Sequence, residues 1–200
     1  SLPGLTLTMN EPQKCKAVID NMLSELKGHL FPNVGKGENA VYNSVDAPLW
    51  FFWALQQYAI YTKRQARIWR EYGSKMRAIL NGFRNYSAFN IKMMENGLIY
   101  AGGKDFALTW MNAVVNGHPV TSRPGMNVEI NALWYNAIMF SVEVAKLGQT
   151  VELSAKAVKE VTVQRRSVNK YDTISYLRAL KADFDDTLDS LEYSLSGDNN

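Results

Sequence analysis

The sequence contains only one cysteine and two histidines among its 200 residues. Because Cys15 has no second cysteine to pair with, an internal disulfide is excluded, and this usage is typical of a reducing compartment. We therefore expect a cytoplasmic protein. His29 and His118 lie far apart and lack the spacing of metal-ligand motifs, so we expect neither a metal site nor a cofactor.

Long apolar runs and a strong net charge are missing as well. The longest apolar run, residues 47–55, is well short of the ~18 residues that a membrane span needs. Residues 1–10 lack the basic-then-apolar order of a signal peptide. The net charge is only +3, and the basic cluster at 159–181 is followed by an acidic block, as on exposed helix faces. The chain is expected to bind neither a membrane nor nucleic acid.

The apolar residues recur with helical spacing along nearly the whole chain, which predicts an all-α fold in a single domain over residues 1–200. Asn10 is the expected cap of the first helix, Asp46 the expected cap of the second, and Gly82 and Gly148 the expected stops of the third and fourth. About six helices are predicted. The first begins at Glu11-Pro12, and the other five cover about Ala47–Thr62, Gln65–Leu80, Val128–Leu147, Glu152–Arg166 and Asp172–Leu195.

Residues 84–127 interrupt the helical pattern. Several glycines and prolines stand there among short apolar stretches such as Leu98-Ile99-Tyr100. The pattern predicts a long structured loop with short strands. Loops of this length inside a compact domain usually carry function.

Three clusters combine aromatic, carboxylate and amide side chains near predicted helix starts and loops. Sugars are bound by this mixture, because their apolar faces stack on indole or phenol rings and their hydroxyls need polar partners. Each residue also has a structural interpretation: Asp46 as a helix cap, Trp50 and Trp53 as core, Glu129 as a complement to the helix dipole. The clusters are Tyr42 to Trp50, Leu108 to Ala113, and Thr121 to Asn136.

In this order and spacing, the clusters resemble the glycogen debranching enzyme (amylo-α-1,6-glucosidase) family. The resemblance covers residues 1–147, whereas residues 148–200 match only by helical pattern. The stretches that carry it are Ser1-Leu2-Pro3-Gly4-Leu5, Phe31-Pro32-Asn33, Tyr42-Asn43-Ser44-Val45-Asp46-Ala47-Pro48-Leu49-Trp50-Phe51, Leu108-Thr109-Trp110-Met111 and Val128-Glu129-Ile130-Asn131-Ala132-Leu133-Trp134-Tyr135-Asn136.

The resemblance implies a fold and a reaction. The fold is part of an (α/α) toroid of helical hairpins. The reaction is release of glucose from an α-1,6 branch stub with inversion, by a general acid and a general base ~6.5–9.5 Å apart. The family motif places its acid, an Asp, where this chain has Asn112. An amide has no suitable proton to donate, so proton transfer through this position should fail.

The resemblance further implies that the general base lies in a region absent from these 200 residues, together with half of the ring. We therefore expect a substrate-holding portion without glucosidase activity, which binds an α-glucan or a branched maltooligosaccharide. The expected substrate-binding residues are Asp46, Trp50, Trp110, Arg123, Glu129 and Trp134, and the catalytic position is Asn112.

Three alternatives stay open. Glu95, Asp105 or Glu129 could replace the missing acid. The chain could be a catalytically silent glucan-binding or helix-packing module. It could also self-associate through apolar helix faces.

Overall fold

The computed structural model describes residues 1–35, 37–85, 88–103, 105–159 and 182. This part of the chain is mostly helical, as predicted. The predicted sixth helix and the end of the predicted fifth lie outside the described residues. The α-helices in the described part are α1 (Leu2–Thr6), α2 (Pro12–Ser24), α3 (Ala47–Thr62), α4 (Gln65–Arg84) and α5 (Val128–Lys159), and short 3-10 turns cover Gly37–Asn39 and Ala88–Asn90.

Helix α3 is the centre of the fold, and it has the predicted bounds. Its residues are apolar almost all round, and it packs against α1, α2, α4 and α5. A helix that is apolar on every face is stable in water only when other elements cover it. Its fully buried residues include Leu49, Phe51, Phe52 and Leu55.

The predicted start and buried face of α2 are both corrected. Asn10 has a φ of 60° and lies outside the helix, and the cap position is Glu11. The helical spacing predicts an apolar face of Val18, Met22 and Leu26, flanked by Ile19, Leu23 and Leu30, yet Val18 is exposed. The buried residues of α2 are Cys15 and two of the flanking positions, Ile19 and Leu23. Cys15 is completely buried, as predicted.

The predicted end of α4 is wrong, because the helix continues through Gly82 to Arg84. A Cβ at Gly82 would lie 2.1 Å from Cγ of His29. This glycine is therefore needed for close packing against the segment after α2, and it does not end the helix. Glycine inside a helix costs stability, but a close approach of this kind can require it.

The predicted break at Gly148 is also wrong. Helix α5 runs without interruption from Val128 to Lys159 and joins the predicted fourth helix to the start of the fifth. A Cβ at Gly148 would lie 3.3 Å from Cβ of Trp69 and 3.5 Å from the carbonyl oxygen of Ala66. The missing side chain lets α4 and α5, the two most extensively packed helices, approach closely.

The segment between α4 and α5 contains short strands, as predicted. One hairpin pairs β1 (Lys92–Met93) with β2 (Ile99–Tyr100). The other pairs β3 (Val114–Val115) with β4 (His118–Pro119) through a turn at residues 116–117, where both φ angles are positive. An Asn-Gly turn of this kind suits a two-residue hairpin.

The first hairpin is fastened to α5 by one buried amide. The side chain of Asn131 accepts a hydrogen bond from the backbone N–H of Ile99 at 2.6 Å and donates one to its carbonyl at 3.1 Å. An amide can satisfy both polar groups of a strand residue in this way.

Among the described residues, no helix is long and apolar enough to cross a membrane.

Candidate functional site: an aromatic groove beside α3

A groove of about 480 Å³ lies at the start of α3. It brings together three of the predicted site residues, Asp46, Trp50 and Trp110, although Trp110 is 60 positions away from Trp50 in the sequence. Residues of α1 and α2 also line the groove. The volume lies within the range of ~300–1,000 Å³ typical of small-ligand sites.

Asp46 lines the groove and is largely buried. Asp46 occupies the cap position of α3, but its side chain makes no capping hydrogen bond. The hydroxyl of Ser44 has that role instead, because it accepts from the N–H of Ala47 at 3.2 Å and donates to Oδ1 of Asp46 at 2.5 Å. Ser44 donates to Oδ1 only, so Oδ2 of Asp46 can accept a hydrogen bond from a hydroxyl of a ligand.

Trp50 stands one helical turn beyond Asp46, so its indole lies on the same face of α3. The side chain is 48% exposed. It meets Trp53 edge to face, with ring centroids 5.6 Å apart and an interplanar angle of 89°. Because an edge-to-face contact covers at most one face of a ring, Trp50 keeps a face that Trp53 does not cover and that a ligand could contact.

Trp110 borders the groove from the loop and is the more exposed of the two indoles, at 66%. The loop is attached to the start of α3 by a backbone hydrogen bond of 2.8 Å from the N–H of Val45 to the carbonyl of Leu108. Thr109 beside it is buried, and its hydroxyl accepts from the N–H of Met111 at 3.4 Å. Backbone contacts on both sides of Trp110 thus fix where the indole leaves the loop.

Arg123 and Glu129 lie next to this loop and form an ion pair. Nη1 of Arg123 is 2.5 Å from Oε1 of Glu129 and 3.5 Å from the hydroxyl of Thr109. The hydrogen bond from Arg123 is the main cause that lowers the pKa of the Glu129 carboxyl, and the side chain of Trp110 contributes in the same direction. Burial alone would raise that pKa, so the guanidinium decides the outcome. Glu129 is therefore a carboxylate at neutral pH.

Trp134 is a correction to the predicted site. It is completely buried, its ring stacks on Phe83 with centroids 5.8 Å apart, and its indole N–H donates to the carbonyl of Gly97 at 3.1 Å. Helix α5 turns this position toward the core, so the ring has no free face for a sugar. The motif that contains it helps to hold the first hairpin on α5.

Asn112 is exposed two residues beyond Trp110. The other carboxylates considered as acids, Glu95 and Asp105, are exposed on the same long segment. Oδ1 of Asp105 is 3.9 Å from Nδ1 of His118, and both side chains are largely in solvent. In the described part of the chain, no group of three or more His, Cys, Asp and Glu side chains is arranged to hold a metal ion.

Sequence reasoning missed the apolar residues of α1 and α2 that also line the groove. Leu2 and Pro3 of α1 and Val18 and Met22 of α2 line the groove. Val18 and Met22 stand four positions apart, which is the spacing of an apolar stripe, and we assigned that stripe to the core. Their position beside the groove depends on how α1 and α2 pack on α3, which periodicity does not specify.

The fold and the groove together describe a mostly helical protein with an aromatic groove as its candidate ligand site. The sequence profile of the family described as amylo-alpha-1,6-glucosidase matches residues 1–194. The chain belongs to this family, which confirms the resemblance. It is 26% identical over 203 positions to the "Glycogen debranching enzyme" of Saccharomyces cerevisiae, in an alignment that covers 74% of this chain and 13% of the yeast protein. No solved structure gives a significant match.

Proposed function

We propose that this chain is the substrate-holding part of a glycoside hydrolase module that acts on α-1,6-linked glucose branch stubs. In this proposal the groove beside α3 binds an α-glucan or a branched maltooligosaccharide. One observation carries it: two exposed indoles, Trp50 and Trp110, border the same groove as the buried carboxylate of Asp46. Membership of the amylo-alpha-1,6-glucosidase family supports the choice of an α-glucan.

The chemistry of the groove suits a sugar ring. The faces of a glucose unit carry C–H groups that pack on an indole, and its rim carries hydroxyls that need acceptors and donors. Trp50 and Trp110 would supply the stacking surfaces, and the Asp46 carboxylate would accept from a hydroxyl. The apolar wall at Val18 and Met22 would cover a second ring face.

Hydrolysis by these 200 residues alone is not part of the proposal. At the position of the family's acid stands Asn112, whose amide has no suitable proton for the glycosidic oxygen. Glu129 is a poor replacement, because an acid needs a raised pKa and that of Glu129 is lowered by Arg123. Proposed along with this role are an (α/α) toroid as the parent fold and a cytoplasmic location.

Glucan binding is tested by titrating the purified chain with a branched maltooligosaccharide and by measuring its retention in glycogen-containing gels. Trp110→Ala should weaken binding by about tenfold or more, equivalent to ~1.4 kcal/mol. Phe106→Ala is the matched control, because this side chain is also an exposed aromatic of the long segment but is not among the groove residues. Equal affinity in wild type and Trp110→Ala would contradict the proposal.

Catalytic silence is tested by incubating the chain with the same oligosaccharide and measuring released glucose. We expect none above a blank. A larger protein that contains this module with Asn112→Asp should gain activity, whereas Asn112→Ala should not. Glucose release by the unaltered chain would show that another carboxyl group replaces the acid.

Self-association is a second candidate property, and exposed apolar residues favour it. Leu5 in α1, Met9 in the segment after α1, and Ile60 near the end of α3 are all exposed. Exposed apolar patches on a soluble domain commonly mark contact surfaces. Sedimentation at two concentrations tests it: a mass that rises with concentration supports dimers, and a constant monomer mass excludes them.

A further inference from the structure

The orientation of the Trp110 indole must be set by few contacts. Its side chain is 66% exposed, so packing against the rest of the protein can restrict the indole only weakly. An indole that binds sugar by stacking must nonetheless hold one orientation, because ordering it on binding costs conformational entropy. The orientation of the indole must therefore depend on the contacts that hold the backbone of its loop.

Those contacts converge on the hydroxyl of Thr109. It accepts from the N–H of Met111 at 3.4 Å, which closes a turn around Trp110. It also lies 3.5 Å from Nη1 of Arg123. A hydroxyl has two acceptor lone pairs, so one oxygen can serve both donors. Arg123 thus contacts the turn from which the indole projects.

Arg123 is itself held from two directions. Its guanidinium pairs with Glu129 in the first turn of α5, and its carbonyl accepts from the amide of Asn127 at 3.1 Å. Asn127 in turn accepts from the N–H and the side-chain amide of Asn131 through its own carbonyl, at 3.1 and 3.0 Å. The loop that carries Trp110 is thereby connected to a long, rigid helix.

We propose that Arg123 is a positioning residue that sets the orientation of the Trp110 indole by linking Thr109 to Glu129. This inference rests on the proposed function and refines it. Arg123 and Glu129 act on a bound sugar through Trp110 and need not touch it. The lowered pKa of Glu129, to which the Trp110 side chain contributes, agrees with the proximity of these groups.

Two structural facts make the linkage more than a surface ion pair. The side chains of Arg123 and Glu129 are 23% and 37% exposed, and Thr109 is buried. Exposed pairs held only to each other are worth little. Here one guanidinium nitrogen contacts both a charged partner and the loop hydroxyl, so loss of the guanidinium affects the loop directly.

The first test needs no ligand. In a spectrum of the indole N–H groups, the Trp110 signal is assigned by its loss in Trp110→Phe. Arg123→Ala should shift this signal and speed its exchange with water, while the signal of buried Trp134 stays unchanged. Arg123→Lys should restore part of the wild-type spectrum. Lys14→Ala, which breaks an exposed pair with Glu11 elsewhere, is the matched control. An unchanged Trp110 signal in Arg123→Ala would overturn the proposal.

The second test is a double-mutant cycle on glucan affinity. Arg123→Ala should weaken binding by about fivefold in the wild-type background and by less than about twofold in the Trp110→Ala background, because both changes remove the same oriented indole. Equal effects in both backgrounds would mean that Arg123 contacts the sugar directly, which contradicts the proposal. If the wild-type chain binds no glucan, the proposed function fails, and the indole spectrum still decides the role of Arg123.

Discussion

Gly82 offers a direct test of how α4 is packed. In Gly82→Ala, the new Cβ would lie 2.1 Å from Cγ, 2.3 Å from Cβ and 2.5 Å from Nδ1 of His29. Carbon atoms in contact normally stand about 3.5–4.0 Å apart, so His29 or the helix must move by more than about 1 Å. The movement cannot come from the imidazole alone, because Cβ of His29 is attached to the backbone.

The magnitude follows from two opposing effects. Alanine is favoured over glycine inside a helix by ~1 kcal/mol. Overpacking a core typically costs about 1–3 kcal/mol, and contacts this short belong at or above the upper end. We therefore expect Gly82→Ala to lower the free energy of unfolding by about 2 kcal/mol or more. At a slope of about 1–3 kcal/mol/M, a loss of ~2 kcal/mol lowers the urea midpoint by roughly 0.7–2 M.

Gly4→Ala is the matched control for this experiment. Gly4 lies inside α1, and a Cβ there would meet no atom within 4 Å. The same substitution should therefore leave stability unchanged or raise it slightly, through helix propensity alone. Urea unfolding followed by circular dichroism measures both variants. A Gly82→Ala chain as stable as the wild type would refute the packing argument and restore the interpretation of Gly82 as a helix stop.

Three further predictions concern titration and accessibility. Burial lowers the pKa of His29, so the fold favours its neutral form. The contribution of His29 to stability should therefore be fully present above the ordinary pKa of about 6.5, and the free energy of unfolding should fall at lower pH. His29→Gln should reduce this fall between pH 7.5 and 5, whereas the exposed control His118→Gln should not. For Glu129, the form that the fold favours is the charged carboxylate, because the hydrogen bond from Arg123 lowers its pKa. The pair therefore stabilises the fold above the ordinary pKa of about 4.3, and this effect is lost as the pH falls through the lowered value. The difference in urea midpoint between wild type and Glu129→Gln should shrink in acid. Cys15 is completely buried and burial raises its thiol pKa, so a thiol reagent should react only at the rate of unfolding, and fast labelling in native buffer would contradict the packing of α2.

Sequence predicts a helix best when residues next to its ends decide where it begins and stops. The bounds of α3 follow from a cap position at Asp46 and a polar Lys63-Arg64 end, where Lys63 takes a left-handed conformation. Gly82 and Gly148 were misinterpreted because a glycine that ends a helix and a glycine that admits a neighbouring side chain look the same in sequence. Only the positions of His29 and Trp69 separate these cases.

The candidate site shows the same limit. The resemblance to the family implied Asp46, Trp50 and Trp110 as residues of one site, and the structure brings them to one groove. Trp134 came from an equally persuasive motif, yet the rotation of α5 about its axis directs it to the core. The contribution of Val18 and Met22 could not be predicted, because it depends on which face of α2 meets α3.

The three sequence clusters are joined by two contacts, and this determines what the site can do. The backbone bond from Val45 to Leu108 places the Trp110 loop beside Asp46, and the contact of Arg123 with Thr109 ties that loop to the start of α5. Trp110, which we propose to stack on the sugar, and Asn112, which the resemblance places at the acid position, therefore lie on one continuous stretch of loop. We expect a change at residue 112 to leave Thr109 in place, because the Thr109 hydroxyl is contacted by the N–H of Met111 and by Arg123, and neither contact involves the side chain of Asn112. Under the proposed function, we therefore expect that proton donation at position 112 can be lost while sugar binding is retained.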